Sequence, residues 1–351
     1  MAEILGIGCT HTLVRAQPNR MDGYLRKNLQ HPGTPPELRD PKNWPEEARK
    51  EWGDDEGLAT ARKYKEELQK GFRLARKAID DFKPDFVLIF ADDQYENIQD
   101  DLLAPFTVFA IDEVLCDERV AGGGSRYKPK VTIKGHPEAA NHIVRELIGR
   151  GFEVGCSWKL AHGPSYGHAF TWTVDYLDLD ETEHVKFPHP VVPFAVNCYG
   201  SDLRIPPPGV KIEETKQIGR KLEGMPVTPP PSPTPWRCYD VGKAVAQIIR
   251  ESPWRAVVIG SASWSHGSLT TKNYYLWPDM EADRARRAEL FAGQHWKWRN
   301  LDPKQIVDSG QQEFLNWVCL AGAMEGRKPE LLSLSEAWLF NSNRMVVVFP
   351  V

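Results

Sequence analysis

Short apolar runs alternate along this chain with longer stretches whose apolar positions recur every three or four residues. Ile4–Cys9, Phe86–Phe90, Phe106–Ile111, Val191–Val196, Ala256–Ile259 and Met345–Phe349 are brief, β-branched or aromatic, and closed by turn residues, which predicts strands. Phe86–Phe90 reads FVLIF behind Lys83-Pro84-Asp85, a strand apolar on both faces and therefore buried on both. Between the strands the spacing predicts helices over Leu58–Phe82, Pro137–Ile148, Asp240–Arg250, Glu281–Ala292 and Gln305–Met324. Leu58–Phe82 is the clearest, with Leu68, Phe72, Ala75 and Ile79 on one stripe and charges elsewhere. Strand–helix alternation of this kind argues for an α/β fold, a mostly parallel or mixed sheet with helices on both faces. The whole of 1–351 reads as a single domain with two excursions, 17–55 and 204–238.

The first excursion, Gln17–Asp55, is rich in Pro, charge and Trp and is expected to wrap the surface. Gly122-Gly123-Gly124 reads as a flexible turn. Val227–Pro235 (VTPPPSPTP) favours an extended, semi-rigid conformation. A surface loop suits that tract better than a linker, because the Ala256 strand and the Glu313 helix are needed to complete the site begun in the first half.

Composition narrows the function classes. A formal net charge of −4 gives no basic face for nucleic acid and no reason to expect an anionic membrane as partner. No apolar run reaches the roughly 18 residues of a membrane-spanning helix, and the first residues lack a signal-peptide pattern. The six cysteines form no CxxC pair, so buried free thiols in a reducing, cytoplasmic setting are expected.

Candidate chemistry gathers where strands end, the edge at which open α/β sheets bind ligands. His11 lies just past Ile4–Cys9. Asp92-Asp93-Gln94 follows Phe86–Phe90, and two adjacent carboxylates there require a cation, a helix N-terminus or solvent. Small residues and then His266 follow the strand at Ala256, and imidazole suits proton transfer near neutral pH. His162 and His168 sit in a glycine-rich loop after Glu153–Trp158. Glu313 lies on an almost wholly apolar helix, where a carboxylate must be paired or metal-bound. Imidazole donors and a carboxylate brought to one side of a sheet, with open positions left, follow the logic of a non-haem Fe(II) oxygenase site.

These segments resemble the class III extradiol dioxygenases, the superfamily of the protocatechuate 4,5-dioxygenase beta subunit. Gly8-Cys9-Thr10-His11 is similar to the family's N-terminal iron-ligand motif. Ile259–His266 resembles the segment carrying its catalytic histidine, and Glu313–Met324 the helix that opens with a glutamate ligand. Gly167–Thr171 resembles the segment with a second active-site histidine, and Pro193–Asn197 the strand after it. The resemblance implies a metal, most simply Fe(II) or another divalent ion, held by His11, Glu313 and a third ligand. That third position falls on Gln94, where the family has histidine, and Asp93 is the alternative. It further implies His266 as acid/base and His168, in preference to His162, as the residue that orients substrate. The partners implied are O2, a catechol-, gallate- or aminophenol-type aromatic, and a second copy or a small subunit. Two other readings are compatible with the altered ligand: a Memo-type redox or interaction protein, and a metal-dependent hydrolase using Asp93 and Glu313.

Overall fold

A computed structural model of the protein describes residues 2–12, 14–99, 101–117, 129–200 and 230–351. Gly122–Gly124 and residues 227–229 of the proline tract lie outside them, as do residues 204–229 of the second excursion.

Among the described residues eight strands form one sheet. In chain order they are β1 (Ile4–Cys9), β2 (Phe86–Asp92), β3 (Phe106–Phe109), β6 (Gly155–Ser157), β8 (Val191–Val196), β9 (Ala256–Ser261), β10 (Glu330–Ser335) and β11 (Arg344–Phe349). Three others, β4 (Glu113–Cys116), β5 (Lys130–Lys134) and β7 (His184–Lys186), make a small second sheet. The large sheet runs β10-β11-β1-β9-β2-β8-β3-β6. Its centre, β1-β9-β2-β8, is parallel, while β11 and β3 run antiparallel against the flanks of that centre. The fold is therefore a mixed α/β sheet flanked by helices.

Nine α-helices are described: α1 (Gly23–Leu29), α2 (Glu46–Trp52), α3 (Leu58–Phe82), α4 (Pro137–Gly149), α5 (His168–Leu177), α6 (Pro235–Glu251), α7 (Met280–Phe291), α8 (Pro303–Asp308) and α9 (Leu315–Ala323). Strand alternation splits the core into two layers. Phe86, Leu88 and Phe90 of β2 join Val258, Val192 and Phe194 against α4, α6 and α9. Val87, Ile89 and Ala91 face the other way, with Leu5, Ile7 and Ile259, against α3 and α5. Each such aliphatic or aromatic side chain contributes about 1.5–3 kcal/mol by burial, which explains why β2 has no exposed position.

Glycine sets how closely α9 lies on the sheet. A Cβ on Gly8 would stand 2.3 Å from the Trp317 ring, and one on Gly260 2.9 Å from the Asn316 carbonyl oxygen. Behind α9, a Cβ on Gly242 would meet the Cys319 carbonyl oxygen at 1.8 Å, and one on Gly322 the Tyr239 oxygen at 1.9 Å. α6, α9 and the strands thus stack backbone to backbone, and the residue that opens α9 is fixed against the strand ends.

Two expectations need correction. Gln305–Met324 is not one helix: it breaks after α8 at Ser309-Gly310, and Glu313 lies in a short 3-10 turn, Gln312–Phe314, that leads into α9. Gly310 has a φ of +66°, and a Cβ there would approach the His266 carbonyl oxygen to 2.6 Å, so the break brings the two segments together. The Gln17–Asp55 excursion is more than a wrapping loop. It supplies α1 and α2 and builds a third core cluster in which Met21, Leu25 and Trp44 pack with Leu276, Trp277 and Leu339.

Candidate metal centre

The C-terminal ends of the four parallel strands converge on one cleft of about 530 Å3. β1 leads to His11, β2 to Gln94, β8 to Tyr199 and β9 to His266, while Asp92, the last residue of β2, is buried beside His11. Glu313 enters from the turn before α9, and His168 is the first residue of α5.

His11 is fully buried. Its Nδ1 lies 3.2 Å from the Ser261 hydroxyl, which is itself 2.6 Å from the Thr173 hydroxyl. That contact occupies one ring nitrogen and leaves the other, Nε2, without a hydrogen-bond partner. Nε2 points between two carboxylates, 3.6 Å from Asp92 Oδ1 and 3.5 Å from Glu313 Oε2. Glu313 Oε2 is likewise buried with no hydrogen-bond partner, and His266 Nε2 stands 3.5 Å from it. Donor atoms of His11, Asp92 and Glu313 all lie within 4.8 Å of one another.

This set fits a divalent cation. Metal–ligand bonds of about 2.0–2.2 Å bring neighbouring donors to roughly 3–3.6 Å. A ligating imidazole characteristically hands its other nitrogen to a polar group, as His11 does to Ser261. Two buried donor atoms facing each other unbonded are otherwise costly. Electrostatics agrees: burial, then the Glu313 carboxylate, push the Asp92 carboxyl above its ordinary range. Burial acts on Glu313 in the same sense, but the imidazoles of His266 and His11 and the Tyr199 hydroxyl hold it well below.

The remaining polar groups orient these donors. Tyr199 donates to Glu313 Oε1 at 2.6 Å, and Gln94 Nε2 donates to that oxygen and to Asp92 Oδ2, both at 3.0 Å. Asn316 Nδ2 reaches Asp92 Oδ1 at 3.3 Å. The Gln94 amide therefore brackets two carboxylates. Asp93 turns away and accepts from the backbone N–H groups of Glu96, Asn97 and Ile98, as a helix-type cap does.

His168 lies beside His11, ring centroids 5.4 Å apart. Its Nδ1 is 3.0 Å from both oxygens of Glu96, which also accept its backbone N–H. Burial disfavours charge on this ring, but the Glu96 carboxylate and its hydrogen bond outweigh burial and push the imidazole up to about 9. His162 lies at the rim, its Nε2 2.9 Å from Asp101. His266 Nδ1 lies 3.0 Å from the Trp264 carbonyl oxygen, so Nδ1 carries the proton and Nε2 is the free acceptor of the neutral ring.

Of the residues singled out in the sequence, His11, Gln94, His162, His168, His266 and Glu313 line this cleft, while Asp93 does not. Asp92 was noted as one of two adjacent carboxylates but not as a ligand, and Glu96 and Tyr199 were given no role. Period-two alternation carries the signal for Asp92, because it has the parity of Leu88 and Phe90 and so faces α9.

Fold and site together define a class: an α/β protein whose parallel strands end at a buried donor set fit for one divalent cation. Known proteins narrow it. Residues 225–345, which hold His266 and Glu313, match the family described as the catalytic LigB subunit of aromatic ring-opening dioxygenase. The chain is homologous, at low identity, to enzymes called 2,3-dihydroxyphenylpropionate/2,3-dihydroxicinnamic acid 1,2-dioxygenase. With the Pseudomonas putida protein (numbered 2) it shares 23% identity over 242 residues, 68% of this chain and 59% of that protein. With the Comamonas testosteroni protein it shares 22% over 199 residues, 57% of this chain and 48% of that protein. The chain thus spans about half the length of these curated relatives. Among solved structures it is similar to the uncharacterized protein JW3007 from Escherichia coli K12, with a TM-score of 0.47, 12% identity, and coverage of 81% of this chain and 92% of that one. No helix among the described residues is long and apolar enough to cross a membrane.

Proposed function

We propose that this protein is a metal-dependent ring-cleaving dioxygenase that opens a catechol-type aromatic next to its vicinal hydroxyls. The observation that carries the reading is the pair of buried, unbonded atoms His11 Nε2 and Glu313 Oε2, flanked by Asp92. The family match over residues 225–345 and the extradiol relatives support it.

His11, Asp92 and Glu313 would hold the cation, Fe(II) in the first instance. A bound divalent iron supplies a Lewis-acidic centre for two adjacent oxygens and a redox path between an electron-rich ring and O2. The protein's own residues then divide the proton traffic. His266, with Nδ1 committed to Trp264, offers Nε2 as the base that takes a substrate hydroxyl proton. His168, kept protonated by Glu96, offers an N–H to a negatively charged substrate oxygen and orients it. The two rings thus present an N–H donor and a ring-nitrogen acceptor to the same cleft. His162, paired with Asp101 at the rim, is farther from this exchange.

The test is anaerobic loading with Fe(II), followed by O2 and a panel of catechol, 3-substituted catechols, gallate and 2-aminophenol. The expected result is stoichiometric O2 uptake with a yellow ring-opened product from at least one of them. Metal-replete protein that gives neither across the panel contradicts the proposal. Turnover of an ester or amide without O2 uptake would favour hydrolysis on the same residues.

A further inference from the structure

Asp283 lies in α7, buried and outside the cleft. Three segments that build the cleft nevertheless end on its carboxylate. Oδ1 accepts from the Gln311 side-chain amide at 2.6 Å and from the Ser265 backbone N–H at 3.0 Å, and Oδ2 accepts from the Asn343 amide at 2.6 Å. Ser265 immediately precedes His266, and Gln311 stands two residues before Glu313. Asn343 follows Ser342, which bridges to His266, and Asn341, whose carbonyl accepts from Gly267 at 2.6 Å. A second contact ties the first two segments directly, the His266 N–H to the Gly310 carbonyl at 2.9 Å.

We propose that Asp283 is a positioning residue: its carboxylate clamps the His266 segment to the Glu313 segment and so sets the 3.5 Å approach of His266 Nε2 to Glu313 Oε2. The inference rests on the reading of Glu313 as a metal ligand. All three partners are donors, so the clamp requires an acceptor at both oxygens. Asparagine at this position keeps Oδ1 for Ser265 and Gln311, but its amide N–H2 then faces the N–H2 of Asn343, two donors with no acceptor between them. Changing Asn343 to aspartate in the same protein restores the pair with polarity reversed. The Asn343 oxygen that accepts from the Ala337 N–H at 2.7 Å is retained by aspartate.

Mn(II) titrations, by calorimetry or loss of the free-ion resonance signal, on full-length parent, Asp283→Asn, Asp283→Asn/Asn343→Asp and Gln311→Ala proteins test this, each under conditions where urea unfolding shows the protein folded. Asp283→Asn should weaken Mn(II) binding by about tenfold or more. The double variant should recover to within about threefold of the parent, and Gln311→Ala, which cuts only the link to the Glu313 segment, should weaken binding about threefold or more. Parent-like affinity in Asp283→Asn, or no recovery in the double variant, overturns the inference. If Asp283→Asn does not fold, Gln311→Ala and the double variant decide in the same way. A parent protein that binds no Mn(II) overturns the metal reading itself, and this inference with it.

Discussion

Replacing Gly242 with alanine should force apart the two helices behind the metal donors. The new Cβ would lie 1.8 Å from the Cys319 carbonyl oxygen and 2.6 Å from its carbon, both backbone atoms that no rotamer change can remove. Relief requires α6 and α9 to separate by roughly 1 Å at the crossing. Overpacking of a rigid contact costs about 1–3 kcal/mol, and the clash with backbone places this site at the upper end. Alanine recovers about 1 kcal/mol of helix propensity over glycine. The net destabilisation is about 2 kcal/mol, or roughly 3 °C in Tm for a chain of this length. Because α9 begins two residues after Glu313, the shift also reaches that carboxylate, and metal affinity should fall about tenfold. Thermal unfolding followed by circular dichroism gives the first quantity and metal titration the second. A Tm within about 1 °C of the parent would refute the claim that α6 and α9 touch backbone to backbone.

Tyr199→Phe removes the 2.6 Å bond to Glu313 Oε1 and should lower metal affinity several-fold while leaving the secondary structure intact by circular dichroism. In metal-free protein the folded state holds the His168 proton to about pH 9, against an unfolded value near 6.5. Stability from this site is then complete below about pH 6.5 and is lost as pH rises through about 9, of the order of 2 kcal/mol with its side chain 18% exposed. Urea midpoints at pH 6 and 9.5 should show that slope, and Glu96→Gln should flatten it. Saturation with metal at a hundred times its Kd should add about 2.7 kcal/mol to the unfolding free energy, removable by a chelator.

The parts of this structure legible in the sequence are those governed by a strong local period. α3 matches the Leu58–Phe82 stripe because Asp55 accepts the Ala59 N–H near its start and Pro84 follows its end. The central strands were legible because residues buried on both faces leave an unbroken apolar run. The second sheet was not, since β4 alternates exposed and buried over only four residues and β7 spans three. The break at Gly310 falls in the polar run Asp308-Ser309-Gly310-Gln311-Gln312, a local turn signal that the apolar stretches on either side overshadow, and the contact with the His266 carbonyl makes a left-handed residue necessary there. At the site, His11, His266 and Glu313 were legible from their places after strands or on an apolar segment. In the sequence the roles of Asp92 and Asp93 differ by strand parity alone, a faint signal in a pair of identical side chains. Backbone direction separates them: one ends a buried strand facing α9, and the other turns to cap the next segment. The Glu96–His168 and Tyr199–Glu313 bonds join residues 72 and 114 positions apart, beyond the reach of any local pattern.

Every role proposed for these residues depends on one divalent ion among His11, Asp92 and Glu313. Anomalous scattering from crystals grown with Fe(II) or Mn(II), collected on both sides of the metal edge, would locate that ion. One peak is expected about 2.0–2.3 Å from His11 Nε2 and from carboxylate oxygens of Asp92 and Glu313, lost in Glu313→Gln. A protein saturated with metal in solution whose peak touches none of the three, or that shows no peak in the cleft, would contradict that placement.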